Sequence, residues 1–275
     1  MTTNTTTGHP LPYDLYRETI EHETMRFAAL VRDIDPARPV PSCPGWTLAD
    51  LTRHVGSVHR WFSTLLSRLV QEPPVGREVD LGLPDDPRAY ADWLTAGVPG
   101  VAAVLRDTEP GAPMWAWGED QHARFWARRM LFETLVHRTD AERAVGAEPD
   151  IDAALATDGV DEFLVNLPHA GTFAPGVTKI RSDGETLVFR CVGRGGTADE
   201  EWPVRLDPDG FRLLRPDHDG TGGRAPHTAT ATATVEGQAA DVLLLLYGRR
   251  SYREPVFEVT GKTAVLDHWF AHTAF

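Results

Sequence analysis

Three side chains that commonly bind metal ions lie in the N-terminal half of the sequence at spacings typical of helices. Glu133 and His137 are four residues apart, so on a helix they project in the same direction from successive turns. His54 lies three residues after Leu51 and one before Val55, on the apolar face of another helix. Two imidazole nitrogens and one carboxylate oxygen occupy three vertices of a tetrahedral zinc site and leave the fourth for water or substrate. The three residues are therefore a candidate catalytic zinc site.

The same spacing also occurs in helices that bind no metal. A Glu-x-x-x-His pair is a common contact between successive helical turns, and His54 could be a core histidine bonded to a backbone carbonyl. A pair of this kind with one distant histidine is far less specific than repeated Cys-x-x-Cys. Spacing alone therefore favours the structural interpretation over the metal site.

The remaining candidate residues are weaker. His268 and His272 form a His-x-x-x-His pair without a nearby third ligand, and they are expected on a surface helix face. His59 and His122 are expected at the rim or in solvent, off the buried faces of their helices. Cys43 precedes a helix, which favours a reactive thiol, but its place in the turn Ser-Cys-Pro-Gly-Trp explains it without chemistry.

Four helical patterns in the first 145 residues would position the candidate ligands. Thr47, with Asp50 three residues later, predicts a capping box at the start of the second helix, and Asp86 followed by Pro87 predicts the start of the third. Pro99 is expected to kink the third helix. The predicted helices cover residues 13–33, 47–70, 86–105 and 121–145. Four helices with two longer connections indicate a bundle.

The second half of the sequence changes to short β-branched and apolar segments separated by turn dipeptides. A helix is predicted at 151–167, followed by strands at 177–181, 186–192, 202–206, 211–215 and 228–235, a short strand at 256–259, and helices at 238–247 and 262–271. This pattern predicts an α+β domain with an antiparallel sheet. The predicted domains are 11–148 and 149–275.

Composition excludes several classes of partner. The formal net charge of −13 at pH 7 and the lack of any basic cluster argue against binding to nucleic acid or to an anionic membrane surface. The two cysteines fall in different predicted domains, so neither a disulfide framework nor a cysteine zinc site is available. No run approaches 18 apolar residues and no signal peptide is recognised, so the protein is expected to be cytoplasmic.

Two segments of the sequence resemble the mycothiol-dependent maleylpyruvate isomerase family. They are Val40–Gly56 (VPSCPGWTLADLTRHVG) and Arg128–Asp140 (RRMLFETLVHRTD). The resemblance implies an N-terminal DinB-like four-helix bundle whose metal ligands fall on His54, Glu133 and His137. The segments Ala231–Val235 and Asp241–Arg249 are similar to the small sterol-carrier-protein-like α+β domain of that family.

The resemblance also implies an activity. Zinc, or another divalent metal, would bind mycothiol as a thiolate that attacks an electrophilic small molecule, giving either S-transfer or cis-trans isomerisation. Arg53 and Arg249, with Arg250, are the candidate catalytic residues that would hold a substrate carboxylate, although solvated arginines are the simpler interpretation. The alternatives are maleylpyruvate isomerase proper, a non-catalytic metal-braced module that binds a small ligand, and hydrolysis by zinc-bound water. The sequence leaves the oligomeric state open.

Overall fold

The computed structural model describes residues 10–74, 79–193, 198–214 and 231–273. The chain divides into two compact units, Leu11–Asp150 and Ile151–Phe275. None of the described helices combines the length and the apolar composition needed to cross a lipid bilayer.

The first unit contains the four helices predicted from the sequence. They are α1 Tyr13–Val31, α2 Leu48–Arg68, α3 Tyr90–Asp107 and α4 Ala123–Ala144. A short 3₁₀ turn at Pro87–Ala89 leads into α3, and the Asp86 side chain accepts a hydrogen bond from the backbone N–H of Arg88, as an N-cap does. Pro99 lies inside α3 and the helix continues past it.

The start of α2 is fixed by the predicted capping box. The Thr47 hydroxyl accepts a bond from the backbone N–H of Asp50 at 3.2 Å, and the Asp50 carboxylate accepts one from the Thr47 N–H at 3.0 Å. These hydrogen bonds hold the pKa of Asp50 below its usual value, so the cap is charged at neutral pH. His54 follows one turn later, on a helix whose first residues are held rigidly.

The core of the first unit lies between α2, α4 and the helices packed on them. Leu51, Val55 and Phe62 of the predicted apolar face of α2 are fully buried. Close packing is most evident at Gly56, where an added Cβ would lie 2.2 Å from the Trp93 ring of α3. This contact requires glycine, because any side chain there would displace the indole.

Helix α4 is buried around most of its circumference and carries several charges into the interior. Arg138 is 1% exposed and pairs with Glu23 of α1 and with Glu142 one turn along α4. Buried charges of this kind persist when they are paired. The network joins α1 to α4 on the side of α4 next to the candidate site.

Within its described residues, the second unit combines three helices with one five-stranded sheet in the order β3-β2-β1-β4-β5, numbered along the chain. The helices are α5 Ala153–Asn166, α6 Ala239–Leu246 and α7 Thr263–Phe270, and 3₁₀ turns occupy Leu167–Thr172 and Pro175–Lys179. The strands are β1 Glu185–Val192, β2 Ala198–Asp207, β3 Gly210–Leu213, β4 Ala233–Gly237 and β5 Glu258–Gly261. The α+β class is confirmed.

The sheet is mixed, which corrects the prediction of an antiparallel one. β1 and β4 pair in parallel, with Leu187 opposite Ala233, whereas the other three pairings are antiparallel. The sequence pattern does not reveal this, because alternation of polar and apolar residues is the same in both arrangements. Residues 228–230 of the predicted strand at 228–235 lie outside the described residues.

The predicted strand at 177–181 is wrong. Those residues begin in the 3₁₀ turn Pro175–Lys179. The pair Pro175-Gly176 starts this turn, and a Cβ on Gly176 would lie 2.8 Å from the carbonyl oxygen of His272, so the close approach depends on glycine. The short strand predicted at 256–259 begins later, at Glu258.

Candidate metal centre

His54, Glu133 and His137 converge between α2 and α4. The Nε2 atom of His54 lies 2.9 Å from Oε1 of Glu133, and the Nε2 atom of His137 lies 3.4 Å from the same oxygen. One possible ligand atom from each of the three residues lies within 4.8 Å of the other two. The three side chains therefore lie close enough together to contact one ion.

The donor set and its spacing fit a divalent cation. Ligand atoms at the usual zinc distances in a tetrahedral site are about 3.4 Å apart. The separation of 3.4 Å between His137 and Glu133 has this value, whereas the 2.9 Å between His54 and Glu133 is a hydrogen-bond distance that would lengthen by about half an ångström around an ion. The side chains of His54, Glu133 and His137 are 26%, 21% and 13% exposed, so the cluster is sheltered but open on one side. Two imidazoles and one carboxylate are ligands that zinc accepts readily.

Arg129 binds Oε2 of Glu133, the carboxylate oxygen that does not contact the histidines. Its guanidinium, almost fully buried, donates to Oε2 of Glu133 at 2.7 Å and leaves Oε1 facing the histidines. Burial by itself raises the pKa of Glu133, but hydrogen bonds with His137 and His54 and the charge of Arg129 outweigh it and hold the pKa well below its usual value. Glu133 is therefore an anion at neutral pH, as a metal ligand must be.

His137 is bound at both ring nitrogens. Its Nδ1 lies 2.9 Å from Oδ2 of Asp140, which is fully buried, and the Cys43 thiol donates to the same oxygen at 3.4 Å. Burial by itself lowers the pKa of His137, but interactions with Asp140, Cys43 and Glu133 outweigh it and raise the pKa well above 6.5. The contact of Nδ1 with Asp140 thus fixes the orientation of the His137 ring.

A cleft of about 420 Å³ opens beside His54. It is lined by Gly45, Trp46, Asp50, Arg53, His54 and Ser57. The Trp46 ring, from the turn before α2, lies 5.1 Å from the His54 ring and stacks on the His137 ring at 6.2 Å between centroids. The indole thus covers part of the two imidazoles and, together with His54, forms a wall of the cleft, which leaves room for a small molecule beside His54.

Comparison with known proteins supports the family. The family model described as "Mycothiol maleylpyruvate isomerase N-terminal domain" matches residues 17–142, and the one described as "MDMPI C-terminal domain" matches residues 154–268. The chain belongs to the mycothiol-dependent maleylpyruvate isomerase family. No curated protein is similar enough in sequence to count as a match.

Solved structures of the family share the fold. The crystal structure of a mycothiol-dependent maleylpyruvate isomerase is 17% identical, with a TM-score of 0.58 over 92% of this chain and 94% of that one. A mutant of that enzyme with one histidine replaced by alanine is 16% identical over the same shares, again with a TM-score of 0.58. At this identity the likeness shows the architecture, and the site must be argued from this chain's own residues.

The predicted arginines of this family member lie in different settings. Arg53 is on the wall of the cleft, half exposed, and donates to Asp50 at 2.8 Å. Arg249 belongs to the second unit and donates to the carbonyl oxygen of Tyr247 at 2.7 Å. Arg250 pairs with Asp241 and with Glu254, at 2.8 and 2.7 Å. Arg53 therefore lies in the cleft beside His54, whereas these contacts of Arg249 and Arg250 are with residues of the second unit.

The prediction for His59 is wrong. The residue is 3% exposed, and its Nε2 lies 2.7 Å from the Thr134 hydroxyl of α4. Because the Thr134 hydroxyl donates to the carbonyl of Met130, His59 donates through Nε2. The sequence did indicate that His59 is buried, since it follows Val55 by four residues and precedes Phe62 by three, and both belong to the apolar face of α2.

Among the other secondary candidates, His122 and Cys43 fit their predicted settings. His268 and His272 do not share an exposed helix face as predicted, because both are half-buried and His272 lies beyond the end of α7 at Phe270. His122 is 37% exposed at the N-terminal end of α4 and bonds to Asp120. His268 and His272 pack ring against ring at 4.8 Å, and among the described residues no third ligand joins them. Cys43 contacts Asp140 in the turn before α2. None of these residues replaces His54, Glu133 or His137 as a candidate metal ligand.

Arg129 and Asp140 are the site residues that sequence reasoning missed. Arg129 precedes Glu133 by four residues, and Asp140 follows His137 by three, so both were in reach of the ligands on one helix. Charged residues on a helix are usually exposed, which is why neither was selected. Their burial depends on how completely α4 is enclosed, and that enclosure is a property of the whole bundle.

Proposed function

We propose that the protein is a metal-dependent enzyme that activates a low-molecular-weight thiol, mycothiol by family likeness, for reaction with an electrophilic small molecule. One observation carries the proposal: His54, Glu133 and His137 converge at ligand spacing inside the region that matches the family's N-terminal domain. The three would hold zinc or another divalent cation. A cation there would lower the pKa of a bound thiol and so make it a nucleophile at neutral pH.

The protein's own residues prepare the site for that chemistry. Glu133 supplies the one carboxylate of the three, kept ionised by Arg129 and the two histidines. With only one anionic ligand the site stays positively charged around a divalent cation, which favours a deprotonated thiol over a neutral one. Trp46 shields the imidazoles from water on one side and so strengthens these electrostatic effects.

The thiol reaction has two possible outcomes with one shared first step. The thiolate sulfur adds to one carbon of an electron-poor C=C double bond of the substrate: a carbon–sulfur bond forms, the π bond breaks, and its electron pair moves onto the conjugated carbonyl as an enolate, which a proton from water converts into a stable adduct. Release of this adduct is S-transfer. Loss of the thiol after rotation about the former double bond is cis-trans isomerisation, which would agree with the word isomerase in the family description. Both outcomes need the same three ligands and the same cleft.

Arg53 is placed to bind an anionic group of the substrate or of the thiol. Its guanidinium is half exposed on the wall of the cleft beside His54 and, among the described residues, is paired with the carboxylate of Asp50 alone. The Arg53→Gln variant should raise KM about tenfold with kcat nearly unchanged, because the lost bond acts on binding. The Arg68→Gln variant, at the exposed end of α2, is the matched control. An unchanged KM would exclude Arg53 from binding.

Arg249 remains a second candidate for the same role. Its guanidinium already donates to Tyr247, and the Arg249→Gln variant tests it by the same split between KM and kcat. A rise in KM confined to this variant would transfer the anion-binding role from Arg53 to Arg249.

Metal analysis of the purified protein tests the central assignment. The native protein should bind about one divalent ion per chain, and His54→Ala should lose it, whereas His22→Ala, on the exposed side of α1, should retain it. Chelation should abolish thiol consumption with an electrophile, and zinc should restore it. Metal binding unaffected by His54→Ala would refute the site.

The same assay separates the alternatives. Turnover without added thiol would indicate hydrolysis by metal-activated water. Metal binding without turnover of any electrophile, together with small-molecule binding that is indifferent to chelator, would indicate a metal-braced binding module. Thiol-dependent turnover without net thiol consumption would identify the isomerase.

A further inference from the structure

His137 contacts a second carboxylate, that of Asp140, which is not one of the three proposed metal ligands. Asp140 is 0% exposed and accepts from Nδ1 of His137 at 2.9 Å, on the side of the ring opposite Glu133. The Cys43 thiol donates to the same carboxylate oxygen at 3.4 Å. A buried carboxylate is retained in a protein only where such donors satisfy it.

We propose that Asp140 is the positioning residue of the metal centre, which holds a proton on Nδ1 of His137 and thereby aims the Nε2 lone pair at the site of the cation. This inference rests on the proposed function, because it assigns Asp140 a role toward the same metal. A neutral imidazole donates through one nitrogen and accepts through the other, so a fixed acceptor at Nδ1 decides which nitrogen can ligate. Outer carboxylates of this kind also raise the basicity of the ligating nitrogen.

The same cluster permits a rival arrangement. Cys43, His137 and Asp140 also offer three ligand atoms within 4.8 Å of one another. An ion held there would use Nδ1 of His137, or would require the ring to turn, and would lie against a carboxylate that solvent does not reach. It would leave Glu133 and His54 without a metal to bind. The contact of Cys43 with Asp140 is explained instead by the thiol donating a hydrogen bond to the carboxylate.

Zinc titration of three single variants tests the assignment. Asp140→Asn keeps the shape of the side chain but replaces the charge by an amide, which binds Nδ1–H weakly or stabilises the wrong tautomer, and zinc affinity should fall about 10- to 100-fold. Cys43→Ala should stay within about threefold of the native affinity, because Cys43 is not a ligand. Thr139→Ser, buried on the same turn with its hydroxyl bonded to the carbonyl oxygen of Val136, is the matched control and should be unchanged.

The outcomes distinguish the competing explanations. A packing role for Asp140 predicts that the isosteric Asn is tolerated, so an unchanged affinity in Asp140→Asn overturns the proposal. A more than tenfold loss in Cys43→Ala would also overturn it, in favour of the rival arrangement. If His54→Ala abolishes zinc binding while Asp140→Asn does not change it, the proposed function stands and the positioning role fails.

A measurement on the native protein covers the case in which Asp140→Asn does not fold. In the ¹⁵N-labelled, zinc-loaded protein, NMR of the imidazole rings should show Nδ1 of His137 bearing a proton and Nε2 without one. A deprotonated Nδ1 would overturn the proposal whatever the variants show. Failure of the protein to bind zinc or any other divalent cation would instead refute the proposed function.

Discussion

His59 should make the first unit sensitive to mild acid. Its ring is 3% exposed between α2 and α4, and burial lowers its pKa from 6.5 to about 4. In the unfolded chain the ring regains a pKa near 6.5. Between those two values the unfolded state binds a proton that the folded state does not, so stability is complete above pH 6.5 and is lost as the pH falls toward 4.

The size of this effect follows from the shift in pKa. Each unit of difference contributes about 1.4 kcal/mol, so acidification from pH 7 to pH 4 should cost about 3 kcal/mol through His59 alone. That is a large part of the stability of an ordinary domain.

Urea denaturation followed by tryptophan fluorescence at pH 7, 5.5 and 4 measures the effect. In His59→Gln, which does not titrate in this range, the free energy of unfolding should fall by about 3 kcal/mol less over the interval than in the native protein. The comparison is between the changes in the free energy of unfolding with pH, so the stability that the substitution itself costs at pH 7 cancels. His22→Gln, at an exposed histidine, should keep the native slope. Equal slopes for the native protein and His59→Gln would refute the assignment of a buried, neutral ring.

Three further predictions follow from the packing and charge of the first unit. Arg129→Met should lower the free energy of unfolding by about 2 kcal/mol at pH 7, since it leaves the Glu133 carboxylate without its charged donor, and an unchanged urea midpoint would contradict this. Gly56→Ala should cost at least about 1 kcal/mol, because the new methyl group meets the Trp93 ring. Gly100→Ala, where the methyl group meets nothing within 4 Å, should be neutral or stabilising, and equal thermal midpoints for the two glycine variants would argue against the packing. Zinc at about 100 times its Kd should raise stability by about 2.7 kcal/mol in differential scanning calorimetry, a shift that His54→Ala should lack.

Local signals were sufficient to predict the first unit. The capping box of Thr47 and Asp50 and the cap at Asp86 fixed two helix starts, because these bonds form within a few residues of chain. The position of His54 relative to Leu51 and Val55 indicated the face of α2 that turns inward. Together with the pair on α4, this was enough to predict that the three side chains share one site.

Long-range features were not available from the same signals. The parallel pairing of β1 with β4 depends on which distant strands meet, and a period of two carries no direction. The environments of Arg129 and Asp140 were missed for a related reason, since a helix sequence shows which residues share a face but not whether that face is covered. Family resemblance supplied the metal and the thiol, which the residue pattern alone left open.

The ligands and the walls of the cleft come from different kinds of structure. His54, Glu133 and His137 project from the interiors of two packed helices, whereas Trp46 and Gly45 belong to the turn before α2 and Arg53 to its exposed side. Turns and exposed faces tolerate replacement far better than enclosed helix faces. Substitutions around the opening of the cleft could therefore change which compounds a relative accepts. The three candidate ligands, and with them the proposed reaction, would stay the same.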